Sequence, residues 1–152
     1  MYVRLKNKLN AARQLSISDW QMFIKIWCLL LLVDLRLRVS PFANLQRWAA
    51  EISPASVTTP YQTEEDSIRN LYLLVDIASR NHLYPMTCLR RSLTLQRTLS
   101  KRSIQTELRF GVQKAQGDLS AHAWLEHAGK PIGEPETLTG QYITLVGNQT
   151  KI

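Results

Sequence analysis

Cysteine is scarce in this chain of 152 residues. Cys28 and Cys88 are its only two, so at most one disulfide can form, and a disulfide framework is excluded. Neither sits in a zinc-finger spacing, and no metal site is expected. No P-loop and no dinucleotide fingerprint occurs, so the sequence offers no nucleotide-cradling loop. There is no internal repeat. No secretory signal is visible, so a reducing, cytoplasmic setting with free thiols is expected. Long apolar runs are also missing. The longest, Met22 to Val33 (MFIKIWCLLLLV), is interrupted by Lys25 and closed by Asp34. A spanning helix needs roughly 20 apolar residues. The run therefore reads as a buried or partner-facing helix, with Arg36 and Arg38 behind it for peripheral membrane contact.

Acidic residues are outnumbered, twelve against nineteen Lys and Arg, for a net charge of +7. Part of the excess lies in Arg4, Lys6, Lys8 and Arg13, opposed only by Asp19 among the first 20 residues; a second group is Arg90, Arg91, Arg97, Lys101 and Arg102. Such a balance suits an acidic peptide, a membrane surface or nucleic acid, or else a plain solvated basic face. Interleaved aromatics and a recognisable reading helix are absent, so nucleic acid is not expected.

What is present is enough apolar material, 45% of the chain, for one real core. Ser18 or Asp19 is placed to cap a helix from about Trp20 to Arg38, and Pro41 ends it. A short helix from Phe42 to about Glu51 follows, with Leu45, Trp48 and Ala49 on one face. The stretch 53–62, rich in Pro, Ser and Thr, marks a loop and the clearest internal boundary. This divides the chain into an N-terminal helical region, 1–60, packing on a core, 61–152. Acids at Glu64, Glu65 and Asp66 open the next helix, in which Ile68, Leu71, Leu74, Val75 and Ile77 recur at helical spacing. Pro85-Met86-Thr87-Cys88 starts another, ending near Lys101. Beyond Ser103 the pattern alternates: Ile104–Val112 and Leu119–His127 read as strands joined by a turn at 115–118. Pro131 to Leu138 is loop with a short strand near Ile132, and Tyr142–Val146 is a last strand. Helices first, then an antiparallel sheet, make an α+β domain.

Cys88 carries the chemistry. At a helix start, unpaired N–H groups and the positive end of the dipole favour thiolate, and the same groups can bind an oxyanion. Arg90 and Arg91 add positive charge nearby. His122 sits on the second strand between Ala121 and Ala123, as an imidazole base for a helix-borne thiol requires. Glu134 follows after the turn at Gly129, where a returning hairpin strand brings it to the other ring nitrogen. Cys28, in an apolar helix, reads as core. His82 and His127 read as surface or loop residues, His127 on the sheet face opposite His122. Trp124 reads as core packing against the helix, Glu126 as a solvated or salt-bridged strand residue.

The segment Cys88-Leu89-Arg90-Arg91-Ser92-Leu93-Thr94-Leu95 resembles the nucleophile motif of lasso-peptide leader peptidases. Gly111-Val112 and Ala121-His122-Ala123-Trp124-Leu125-Glu126 resemble the same family's strands. So do Leu29–Val33, Pro41-Phe42 and Arg47-Trp48 at the front. These enzymes are transglutaminase-like cysteine proteases, so the resemblance implies a transglutaminase-like core with the catalytic Cys at a helix start packed on a small antiparallel sheet. It implies Cys88 as nucleophile and His122 as base. The family's third member is usually an aspartate about a dozen positions after the histidine; here Glu134 stands at that spacing, with Asp118 and Glu136 as substitutes. The resemblance further implies a precursor peptide as substrate, a separate winged-helix-like leader-recognition protein, and a lasso cyclase acting afterwards. ATP dependence is associated with the family, although no nucleotide site is found in the sequence and no cofactor is expected. Rival readings are transglutaminase or amidase acyl transfer at the same site, and a non-catalytic peptide-binding module.

Overall fold

The computed structural model describes residues 17–52, 63–115 and 118–145. Among the described residues, five helices and four strands follow in the order α1 (Ile17–Val39), α2 (Phe42–Ala50), α3 (Glu64–Arg80), α4 (Cys88–Ser100), β1 (Glu107–Ala115), β2 (Asp118–His127), β3 (Lys130–Pro131), α5 (Glu136–Thr139) and β4 (Ile143–Leu145). The helices precede the sheet, as the α+β reading requires. The basic residues Arg4, Lys6, Lys8 and Arg13 and the loop 53–62 lie outside the described residues. α1 is already helical at Ile17, so Ser18 and Asp19 stand inside it and not before it.

Capping sets the other starts. Thr63 caps α3 by accepting from the Asp66 amide at 3.2 Å. The first turn behind it holds Glu64, Glu65 and Asp66, favoured at the positive helix end. Thr87 caps α4 in the same way.

The sheet runs β3-β2-β1-β4 and every pairing is antiparallel. β1 and β2 are in register along their length, with Gly111 opposite His122 and Glu107 opposite Glu126. β1 begins three residues later than the alternation suggests, since Ile104 leaves the helix as buried packing and not as strand. The segment after β3 contains the short helix α5, which four residues give no periodicity to announce.

The main core joins Ile26 and Leu30 of α1 to Leu71, Val75 and Ala78 of α3, Leu95 and Leu99 of α4, and Leu125 of β2. A second cluster joins Val33 of α1, Leu45 and Ala49 of α2, and Leu93 of α4. Each fully buried Leu or Val contributes about 1.5–3 kcal/mol relative to exposure, so α1 is held by its inner face. Its outer face stays apolar, with Trp20, Ile24, Leu32, Leu35 and Val39 exposed. Among the described residues no helix is long and apolar enough to cross a membrane.

α4 lies at the centre of these contacts. Arg97 donates to the carbonyls of Trp48 and Glu51, both at 3.0 Å, and so fixes the end of α2. Ser92 donates to the Ala123 carbonyl at 3.1 Å and fixes α4 on β2. That last bond joins the two elements that carry Cys88 and His122.

Candidate active site

Cys88 is the first residue of α4 and is half-buried. The first N–H groups of a helix have no partner within it. Here Thr87 takes two of them: its side chain accepts from the Arg90 amide at 3.5 Å, and its carbonyl accepts from the Arg91 amide at 3.1 Å. The Cys88 and Leu89 amides make no hydrogen bond among the described residues, as the first positions of a helix allow.

His122 lies in the middle of β2. Its Nε2 is 2.9 Å from one Glu134 oxygen and 2.8 Å from the other. An ionised carboxylate only accepts, so Nε2 carries the hydrogen and donates it. This leaves Nδ1 with a free lone pair, the nitrogen able to take a thiol proton. Cys88, His122 and Glu134 line one small cavity of about 40 Å³, together with Arg91, Trp124 and Ile132. That is room on the order of one or two water molecules, so the site is small.

Glu134 reaches the ring by a route different from the expected hairpin strand. β3 stops at Pro131, and Glu134 sits in the bend that follows. Ile132 still donates its amide to the Leu125 carbonyl at 2.9 Å, which ties the bend to β2. Gly133 then takes a positive φ of 73°. Its missing side chain also leaves room for the ring of Tyr72, which a Cβ there would strike. One glycine thus turns the chain and admits α3 at close range, and the next residue is the carboxylate that holds His122.

The imidazole is also packed. Trp124 stacks on it at 6.0 Å between centroids, and Tyr142 lies tilted at 5.4 Å. Trp124 is buried, as expected, but against His122, Tyr142 and Gly111 of the neighbouring strand. A Cβ at Gly111 would meet the Tyr142 Cβ at 2.5 Å and the Trp124 ring at 3.0 Å. Glu126 is salt-bridged to Arg109 at 2.9 Å and accepts from Trp124 Nε1 at 3.0 Å. The sequence placed it as a solvated or salt-bridged strand residue, and the structure shows the salt bridge; its hold on Trp124 was hidden, because nothing local says where an indole points.

Two expectations about charge need correction. Arg90 and Arg91 add no free positive charge beside the thiol. Arg90 pairs with Asp34 of α1 at 2.6 Å and Arg91 with Asp76 of α3 at 2.6 Å. With Arg97 bonded to carbonyls, three of the five residues of the second basic group act inside the fold. Asp34 and Asp76 were missed as site-supporting residues, since acids in helices ordinarily face water. The cavity gives no phosphate cradle either: Arg91 is the one Lys or Arg among its lining residues, and it is already paired. Residues here do not fit ATP.

Asp34 has three side-chain partners among the described residues. It also accepts from Tyr84 Oη at 2.6 Å and Arg38 Nε at 3.0 Å. The Tyr84 hydrogen bond, then those of Arg38 and the field of Arg90, hold its carboxyl below the ordinary range against the opposing effect of burial. The same bond raises the Tyr84 phenol.

The remaining expected residues fall elsewhere. Cys28 is exposed on the outer face of α1 and is not core; an apolar stretch wraps all sides of a helix, and only packing selects the buried one. His127 lies off the site, as expected, bonded to the Gln105 carbonyl at 2.8 Å and near Glu64 at 3.3 Å. His82 is more enclosed than a loop histidine, stacked on Trp27 at 4.5 Å. The side chains of Asp118 and Glu136 lie outside the described residues.

A thiol at a helix start and a carboxylate-held imidazole on an adjoining strand line one cavity, an arrangement compatible with cysteine-based acyl transfer. A family model for the transglutaminase-like superfamily matches residues 29–146, running from within α1 to just past β4. The chain belongs to that superfamily. No curated protein and no solved structure gives a significant match to it.

Proposed function

We propose that the protein is a cysteine peptidase that removes the leader from a lasso-peptide precursor, with Cys88 as nucleophile, His122 as base and Glu134 as the group that orients it. The observation that carries the reading is the bond from His122 Nε2 to Glu134, which leaves Nδ1 free beside the cavity that Cys88 lines. The lasso-peptide assignment rests on the likeness of the Cys88–Leu95 and Ala121–Glu126 segments to that family.

In this mechanism Nδ1 takes the Cys88 proton as sulfur attacks the scissile carbonyl. The Cys88 and Leu89 amides receive the developing oxyanion. The C–N bond breaks, the leaving amine takes the proton from His122, and a thioester remains on Cys88. Water, deprotonated by the same nitrogen, then attacks the thioester, releasing the leader acid and restoring the thiol. Glu134 stabilises the imidazolium formed in both steps without taking its proton.

The substrate is a precursor peptide delivered by a separate, winged-helix-like recognition protein, and a lasso cyclase acts on the freed core. Tethering raises the effective substrate concentration to roughly millimolar for a short flexible connection. The apolar outer face of α1 is the surface we assign to such docking, or to peripheral membrane contact. The test is to mix chain, precursor and recognition protein and follow leader release by mass spectrometry, with Cys88→Ala as control. Release that requires Cys88 and is strongly accelerated by the recognition protein at micromolar precursor supports the reading. Formation of an amide with an added amine, in place of a free acid, would shift it to transglutaminase-type transfer. A thiol at position 88 no more reactive than an ordinary cysteine would leave a peptide-binding module.

A further inference from the structure

One buried carboxylate touches both ends of the segment that presents Cys88. Asp34 is 5% exposed and belongs to α1, some fifty residues away in sequence. Its Oδ2 accepts from Tyr84, four residues before Cys88, and its Oδ1 meets Arg90, two residues after it. Between those points the chain is only partly buried. Leu83, Pro85 and Thr87 are exposed, and the Thr87 cap bond is long at 3.5 Å. Met86 packs partly on the main core and Leu89 on the second cluster, contacts that are not directional, so the polar contacts to Asp34 at both ends are what set the height and rotation of the turn.

We infer that Asp34 is a positioning residue for the nucleophile, bracketing the 84–90 segment so that Cys88 meets the cavity at a set height and rotation. Arg91 supplies the opposing tie. Neighbouring residues on a helix project about 100° apart, so Arg90 and Arg91 reach different helices, one to Asp34 of α1 and one to Asp76 of α3. Two ties in divergent directions resist rotation of α4 about its own axis, which a single tie does not. The bidentate reach and planarity of guanidinium suit this use better than a lysine ammonium.

The inference rests on Cys88 being an acylated nucleophile, the reading proposed above, but not on the peptide it acts upon. The experiment therefore uses two substrates. The first is p-nitrophenyl acetate: Cys88 sulfur forms a bond to the acetyl carbon, its proton passes to His122, and p-nitrophenolate leaves. Acetylation of position 88 is read by mass spectrometry and expressed per folded molecule, well below the melting transition. The second is the precursor with its recognition protein.

Asp34→Asn should slow acetylation and lower kcat about 10- to 100-fold, since a misplacement near 1 Å can cost that much, while KM changes little. Tyr84→Phe and Arg90→Lys each release one end and should show smaller losses. Combined, these two should be no worse than Asp34→Asn. They keep the buried carboxylate partly paired, so they carry the test if Asp34→Asn does not fold. Glu51→Gln, which removes an exposed partner of Arg97 far from the cavity, should leave the rate unchanged. Rates per folded molecule equal to wild type in all three variants, with only melting temperature lowered, would overturn the inference. So would a wild-type chain not acetylated at Cys88, because no nucleophile would then need placing. Acetylation that follows the expected order in a chain that leaves the precursor intact would sink the peptidase reading and support the role of Asp34.

Discussion

His122 and Glu134 meet through a single ring nitrogen, Nε2, which lies 2.8 and 2.9 Å from the two carboxylate oxygens. The pair fixes the tautomer, and with it the nitrogen left for the thiol. His122→Ala should lower turnover about 10²–10⁴-fold, the usual contribution of a positioned base. Glu134→Gln should be severe but milder, since the amide oxygen still accepts from Nε2–H but no longer balances the imidazolium. Glu134→Asp should keep reduced activity. Steady-state kinetics on the precursor decide this. Unchanged turnover in Glu134→Ala would remove it from the triad.

The two cysteines should separate cleanly. Cys88→Ala should abolish acylation while the fold persists. Cys28 is exposed, so Cys28→Ala should change stability by less than about 0.5 kcal/mol and leave activity intact. Thermal melts with turnover assays check both. A folded but inactive Cys28 variant beside an active Cys88 variant would reverse the assignment.

Two glycines with similar backbone angles should respond differently. Gly129, at a φ of 77°, has open space where a Cβ would stand, and Gly133, at 73°, has the Tyr72 ring there. Gly129→Ala should cost about 1 kcal/mol, the strain of a left-handed residue, with normal turnover. Gly133→Ala adds an overlap worth about 1–3 kcal/mol more, and should displace Glu134 and slow turnover as well. Equal losses of activity in the two would contradict the role given to Gly133.

Stability should depend on pH through Asp34. Its carboxyl lies below the ordinary 3.8 in the folded chain, chiefly through the Tyr84 hydrogen bond. The unfolded chain therefore binds more protons at this site as pH falls, and stability rises with pH across that window. The advantage of wild type over Asp34→Asn should be full above the unfolded value and vanish as pH drops through the lower folded one. Tyr84 works in the opposite sense. Its raised phenol contributes stability below the ordinary 10.0 that is lost as pH climbs through the folded value. Melting temperatures of wild type, Asp34→Asn and Tyr84→Phe across both ranges test the signs. A gap between wild type and Asp34→Asn that stays constant to the lowest pH at which both fold would exclude the linkage.

Much of the fold was legible because the signals are local. Thr63 followed by three acids announces α3, and Thr87 before Cys88 announces α4, since a cap acts within three residues of itself. The alternation around His122 announces β2. Where the reading slipped, the deciding contact was distant. Ile104 looks like the start of a strand until the core claims it, and α5 is too short to display a period.

The site divides along the same line. By itself the sequence determined that a thiol would open a helix, that an imidazole would sit on a strand with small neighbours, and that a carboxylate would follow twelve positions on, because spacing and capping are properties of the chain. Only the tertiary structure decided that Glu134 reaches Nε2 through a left-handed Gly133 pressed on Tyr72, and that Arg90 and Arg91 are ion-paired with Asp34 and Asp76. A charge is visible in a sequence, but its partner is not. Coulombic and hydrogen-bond energies depend on a distance through space that folding sets, and no local pattern encodes it.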